Sequence, residues 1–497
     1  MAEAVGREIG DHGELKPPLL VKFSYSLGQM AQSGAFDTAI GFIFFYYTAV
    51  LGLSGGLVGA ALAIGLCFDA VVDPLVGSWS DNISSRLGRR LPLMIAATPL
   101  MCVALGLLFS PPSHMATPLL FAWLTVTSIA VRGLISLFNV PYIALGAEMA
   151  DGYAERSKVV AWRAVAGIAA GVLVTALAYM VFFAKPPGLL SRDGYPGFGW
   201  SVALLLFGAA GICCAGIMRY AARLPRAATV TTSIWRRLPG EMAEIFRNKS
   251  FRILFGSAVI FYVAVGANAT LNNHAQIFVW KLQPIMMQVI GYIYLVGILV
   301  GVPITPVLSR WLEKRTVVIV GVAMIIVSWL LLPMLRASGL YAPAGAGAMP
   351  ALGANAFFVG IGVGFTAIAY PSMMADAADE HELLFGARRE GLYFSGLGFA
   401  AKAATGLGVL VGGFALDLLR FPRDAGQAGV TLPSAMLNEL ILAWGPGAAV
   451  FGIVTVVVFA PYAITRRRHD EITADLRARK AGDTNPPTTE PQLLKAS

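Results

Sequence analysis

Two carboxylates four residues apart, Asp69 and Asp73, lie in the segment Phe68-Asp69-Ala70-Val71-Val72-Asp73-Pro74-Leu75-Val76-Gly77. The apolar run around them, Gly56 to Trp79, contains no Lys or Arg. On a helix this spacing puts both acids on one face, one turn apart. A carboxylate at bilayer depth is costly and turns toward a bundle interior or a water-filled path. Two of them, stacked, form half of a cation site; the alternative is a structural pair satisfied by other helices. Asp37, with Ser33 one turn before it, is a third acid in an apolar run. Arg132, Ser136 and Asn139 follow i, i+4, i+7 spacing and share a helix face. An intramembrane Arg needs a carboxylate, and Asp37, Asp69 and Asp73 are the candidates. Arg132 then serves transport or merely locks helices together. Pro141 follows Asn139 and frees a backbone carbonyl. Lys402 sits mid-span among Ala400, Ala401, Ala403 and Ala404, small residues that let helices approach. Three acids against two bases leave one negative charge, which a monovalent cation would neutralise. Asn268 and Asn272, one turn apart, either bind substrate hydroxyls or cross-link helices. Trp123, Trp162, Tyr142, Tyr370 and Tyr393 stack on a sugar face or pack between helices.

The elements that hold these groups follow from composition. Of 497 residues, 57% are hydrophobic and 13% charged, against about 25% charged in soluble domains. This predicts a polytopic membrane protein embedded in a lipid bilayer. With about 20 apolar residues per span, twelve helices are predicted at 22–51, 56–81, 91–111, 117–150, 159–184, 199–220, 252–279, 286–311, 315–335, 351–378, 392–418 and 439–464. The first lacks a cleavage site and reads as an uncleaved helix. The net charge of +9 does not indicate nucleic acid, because the basic residues fall on alternate connections. Clusters at Arg86–Arg90, Arg156–Arg163, Arg219–Arg252, Arg310–Arg315, Arg388–Arg389 and Arg466–Arg468 all lie on one side if both termini are cytoplasmic. The chain then divides into a cytoplasmic segment 1–21, a six-helix bundle 22–220, a cytoplasmic loop 221–251, a second bundle 252–465 and a cytoplasmic, largely disordered tail 466–497. Two such halves suggest repeats with a binding site between them. Cys67, Cys102, Cys213 and Cys214 fall in apolar spans and read as buried thiols.

Two polar constellations are predicted to gate the cytoplasmic side. One is Asp81, four residues after Gly77, followed by Arg86, Arg89 and Arg90. The other joins Asp376, Asp379 and Glu382 to Arg388 and Arg389, through salt bridges that open and close with transport. His381 among these acids lacks the His/Cys set that would complete a metal site. No Walker loop, nucleophile elbow or zinc motif is present, so enzymatic chemistry is not indicated and uphill transport would draw on an ion gradient.

The motifs resemble the glycoside–pentoside–hexuronide:cation symporters, a branch of the major facilitator superfamily. The resemblance rests on Tyr46-Tyr47-Thr48, Phe68 to Gly77, Gly88-Arg89-Arg90-Leu91-Pro92, Asn139-Val140-Pro141, Glu155-Arg156, and Arg388 to Tyr393 ahead of Lys402. It implies an all-α fold of twelve transmembrane helices with N-in/C-in topology, located in the inner or plasma membrane. It implies cation-coupled symport of a sugar, glycoside or sugar acid, with H⁺ or Na⁺ as coupling ion, no other cofactor, and function as a monomer. Asp69, Asp73 and Ser136 match the family's cation site; Lys402 and Arg163 match residues of its eleventh and fifth helices. The melibiose-type members place an Asn where this chain has Val72, which removes an oxygen ligand for Na⁺. Their two sugar-gripping acids fall at Ser33 and Asn139, so galactoside specificity does not carry over; Asp37, one turn deeper, substitutes. Arg132 then pairs with an acidic sugar. Lysolipid transport is the alternative substrate reading, and a non-transporting sensor the remote one.

Overall fold

A computed structural model describes residues 8–9, 15–31, 38–83, 85–150, 153–223, 234–386, 389–427 and 430–480. Apart from a short antiparallel pairing of β1 (Glu8–Ile9) with β2 (Leu15–Lys16), its regular structure is helical. In chain order the helices are α1 (Leu19–Gln29), α2 (Thr38–Phe45, prolonged by a π-turn to Val50), α3 (Gly55–Asn82), α4 (Leu91–Leu108), α5 (Thr117–Glu148), α6 (Tyr153–Ala176), α7 (Gly194–Ala221) and α8 (Ile234–Ile245). There follow α9 (Lys249–His274), α10 (Pro284–Leu308), α11 (Lys314–Ala337), α12 (Met349–Phe385), α13 (Glu390–Leu418), α14 (Ser434–Leu442), α15 (Ala448–Phe459) and α16 (Arg466–Lys480). Among the described residues eleven helices are long and apolar enough to cross a membrane, and Gly41–Val50 is a shorter apolar one.

Local chemistry sets the helix ends. Ser54 caps α3 by accepting the Leu57 amide at 3.4 Å, and Asn248 caps α9 by accepting that of Phe251 at 3.0 Å. Gly386, at φ +76°, ends α12 in the left-handed conformation glycine tolerates. α12 therefore runs past the predicted end at 378 through Asp376–Glu382, whose acids find partners instead of breaking the helix. The last span lies about five residues earlier than predicted, because a π-turn at Ala443–Gly447 links α14 to α15.

Two expectations are corrected. Residues 466–480 form α16, docked through Ile472 and Leu476 on Leu383 of α12, so this part of the tail is helical. Cys67 is exposed, unlike the other three cysteines, because an apolar span also has an outward side. On α3 that outward side is the stripe Ile64, Phe68, Val71, Leu75 and Trp79, all exposed. Leu62, Leu66, Asp69, Val76 and Ser80 are buried on the opposite stripe.

The two halves meet where α3 packs on α13 and α2 on α9. At the end that holds the start of α3 they are in backbone contact. A Cβ on Gly413 would lie 2.2 Å from the Gly55 carbonyl oxygen, so only glycine permits the approach. Beside it the Gly56 amide donates to Asp417 Oδ2 at 2.8 Å, and Thr48 Oγ1 meets His274 Nε2 at 2.9 Å. At the other end, the ion pairs of Arg89, Arg90 and Glu148, of Lys314 with Asp376, and of Arg389 with Glu244 each stay within one half.

Candidate functional site

α3 carries Asp69 and Asp73 about 21 and 27 Å along its axis from the sealed end, at about 1.5 Å per residue. Asp69 is buried, at 7% exposure. Its Oδ1 accepts a hydrogen bond from Ser136 of α5. Its Oδ2 lies 3.3 Å from Lys402 Nζ and 3.9 Å from Arg132 Nη1. Lys402, reaching across from α13, also donates to Asp73 Oδ2 at 2.7 Å. One ammonium thus bridges two carboxylates of the opposite half. Asp73 Oδ1 is buried without a hydrogen-bond partner among the described residues, and Lys402 remains 43% exposed. These four charged groups balance, two acids against two bases. An incoming cation would find oxygens of three residues, the carboxylates of Asp69 and Asp73 and the hydroxyl of Ser136, and an ammonium already in place.

The other predicted residues separate into distinct places. Arg163 of α6 donates to Gln29 of α1 at 2.8 and 3.0 Å and covers the Tyr142 ring at 5.1 Å. Asn139 is buried on α5, with Oδ1 lacking a partner among the described residues. Ser33, Asp37 and Arg388 lie outside the described residues. Asn268 and Asn272 line a cavity of about 580 Å³ bounded by α2, α6, α9, α10, α11, α12 and the π-turn at Ala443–Gly447. Arg132 and Lys402 are not in its wall. Asn268 donates to the Trp444 carbonyl at 2.9 Å, so it also cross-links α9 to the last span.

The aromatic residues singled out from sequence pack elsewhere. Trp123 donates to the Leu107 carbonyl at 3.1 Å, Tyr142 stacks on Tyr25 at 4.5 Å, and Tyr393 lies 4.6 Å from Phe251. Trp162 meets Phe23 edge-on at 6.3 Å, and Tyr370 stacks near Phe261 at 6.2 Å. The cavity wall instead carries Trp329, Trp444 and Tyr292, with Gln276, Gln288 and Asn355, none of which the sequence reading had placed at a site. Gln276 continues the Asn268–Asn272 stripe at i+8, a signal present in the sequence; Gln288 and Asn355 are isolated and carry no such signal.

Among the described residues, the ion pairs given for the polar constellations form networks on each side. Arg90 pairs with Asp81 at 2.6 Å and Glu148 at 2.9 Å and donates to Ser80 at 2.9 Å, while Arg89 also holds Glu148 at 2.9 Å. In the second half Lys314 holds Asp376 at 2.7 Å, and His469 of α16 lies 3.4 Å from Asp376 and 3.5 Å from Asp379. Arg389 holds Glu244 of α8 at 3.1 Å, and Glu382 sits on the same stretch of α12. The Arg389 hydrogen bond holds the Glu244 carboxyl below its usual range.

A bundle of apolar helices, sealed at one end, with a buried charged cluster and a solute-sized cavity between its halves, defines a membrane transporter. A family model described as MFS/sugar transport protein matches residues 24–466, and the chain belongs to that family. This upholds the resemblance to the glycoside–pentoside–hexuronide symporters. The inner membrane symporter YicJ of Escherichia coli (strain K12) is 24% identical over 91% of this chain and 92% of its own. An isoprimeverose transporter of Lactiplantibacillus pentosus is 24% identical over 86% of each chain. Among solved structures, the nucleoside transporter NupG superposes with a TM-score of 0.58 at 16% identity, over 89% of this chain and 99% of its own, and shares the fold.

Proposed function

We propose that this chain is a cation-coupled symporter for a sugar, glycoside or sugar acid, working by alternating access through twelve spans with both termini cytoplasmic. α1 and α2 together make the first span. The observation that carries the reading is the Lys402 bridge to Asp69 and Asp73. A cation entering between the carboxylates competes with that ammonium. Displacing Lys402 removes a link between the halves, so cation occupancy and the relation of the halves are thermodynamically coupled. The basic clusters and the open end then both face the cytoplasm, giving an inward-open carrier. Val72, in place of an Asn, favours H⁺ over Na⁺ as the coupling ion. The similarity to an inner membrane symporter supports the transport mode, and that to an isoprimeverose transporter supports the substrate class.

Uptake of labelled glycosides and uronates into proteoliposomes, under imposed H⁺ or Na⁺ gradients, tests this. Gradient-driven accumulation is expected for at least one sugar. Asp69→Asn and Asp73→Asn should abolish accumulation while leaving equilibrium exchange. Full accumulation in both variants would sink the coupling site.

A further inference from the structure

The cavity between α2, α6, α9, α10, α11, α12 and the turn carrying Trp444 has a polar pattern unlike that of the charged cluster. Its described wall contains carboxamides and aromatic rings but no charged side chain. Gln288 is 2% exposed and Gln276 9% exposed. The Gln288 side chain donates to Tyr292, and Gln276 Nε2 donates to Asn272 Oδ1 at 3.1 Å. The Oε1 atom of each has no hydrogen-bond partner among the described residues, and neither has the buried indole Nε1 of Trp444. Buried polar atoms are rarely left unmatched. Three of them around one cavity of about 580 Å³, a size typical of small-molecule sites, mark places where a ligand supplies the missing partner.

The chemistry of that ligand follows from the same atoms. A hydroxyl both donates and accepts, so it satisfies either end of an amide and an indole N–H. An ionised carboxylate only accepts, and would be desolvated here with no cation in the described wall. The arginine and lysine that would neutralise it, Arg132 and Lys402, are engaged with Asp69 and Asp73. The rest of the wall, including Trp329, Trp444 and Val172, offers flat apolar surface suited to the C–H face of a sugar ring.

We infer that this cavity is a binding site for a neutral, hydroxyl-rich solute, with Gln276, Gln288 and Trp444 as its specificity-determining contacts, and that sugar acids are poor ligands. The inference rests on the symporter reading for its biological meaning but not for its test. Purified full-length protein in detergent is titrated calorimetrically with isoprimeverose, methyl glucoside and methyl glucuronide. At least one neutral glycoside should bind, with the glucuronide at least about tenfold weaker. Gln288→Leu and Gln276→Leu should each weaken the neutral ligand about tenfold, the cost of one buried hydrogen bond. The near-isosteric Gln276→Met and Gln288→Met, checked for monodispersity, guard against misfolding. Glucuronide binding as tight as the neutral sugar, failure of every neutral glycoside to bind, or unchanged dissociation constants in folded Gln276 and Gln288 variants would overturn the inference. Binding with these properties but without any gradient-driven uptake would instead defeat the symporter reading and leave the site intact. Uptake that ignores both glutamine substitutions would do the reverse.

Discussion

Lys402 answers two carboxylates at once, and Ser136 adds a donor to the more buried of them. Ser136→Ala is expected to shift the cation concentration that half-saturates uptake about tenfold, upward if Na⁺ loses an oxygen ligand and downward if H⁺ binds a carboxylate that has lost a donor. Arg132 lies 3.9 Å from Asp69 and outside the cavity wall. Arg132→Gln should accordingly depress uptake of neutral and acidic sugars alike; a loss confined to acidic ones would restore the counter-ion role expected from sequence. This charged cluster was legible because ionisable residues at one-turn spacing stand out against an apolar run. Gln276, Gln288 and Asn355 were not, because a neutral amide costs the membrane little and its meaning comes from what it faces. The aromatic residues misled for a related reason: Tyr142 and Tyr393 satisfy packing that no local pattern reveals.

Helices α9 and α13 connect the two polar regions. A Cβ on Gly266 would sit 2.5 Å from the Thr405 carbonyl oxygen, and one on Gly408 2.4 Å from that of Val263. The pair therefore packs backbone to backbone, with Asn268 near the seam on one helix and Lys402 one turn from it on the other. Gly408→Val should separate them and reduce coupled uptake at least tenfold, more than it lowers yield of folded protein, as judged by detergent size exclusion. The apolar spans themselves were readable from run length. α16 was not, since only Ile472 and Leu476 interrupt a strongly charged segment, and their partner Leu383 is some 90 residues distant. The short α8 is held by Glu244 to Arg389. Because Arg389 lowers the Glu244 pKa, the contact contributes above the ordinary glutamate value of 4.5 and is lost as pH falls through the lowered one. Spin labels on α8 and α13 should keep a fixed separation at neutral pH and spread only in strong acid, whereas Glu244→Gln should spread them at any pH.

At the scale of the whole molecule the halves share one sealed end, while at the other the ion pairs of Arg89, Arg90, Lys314 and Arg389 among the described residues join neighbouring elements on the same side. The sequence reading anticipated salt bridges that open and close there, but which partners such arginines choose depends on how the halves are tilted, and no spacing encodes that. The seal includes an acid of one half capping a helix of the other: Asp417 accepts the amide of Gly56, at the positive end of α3. Under the alternating access proposed above, this contact would belong to only one of the two access states and would set a resting population. Reversing a 1:99 distribution requires a ligand that binds the rarer state about ten-thousandfold better. Part of the solute's intrinsic affinity on the sealed side is consequently spent in opening the seal. Asp417→Ala should lighten that requirement, so that the apparent affinity for solute arriving from the sealed side rises while affinity from the open side falls. Under that reading the carrier's sidedness is weighted by one carboxylate acting alongside the Gly55–Gly413 packing of the same end.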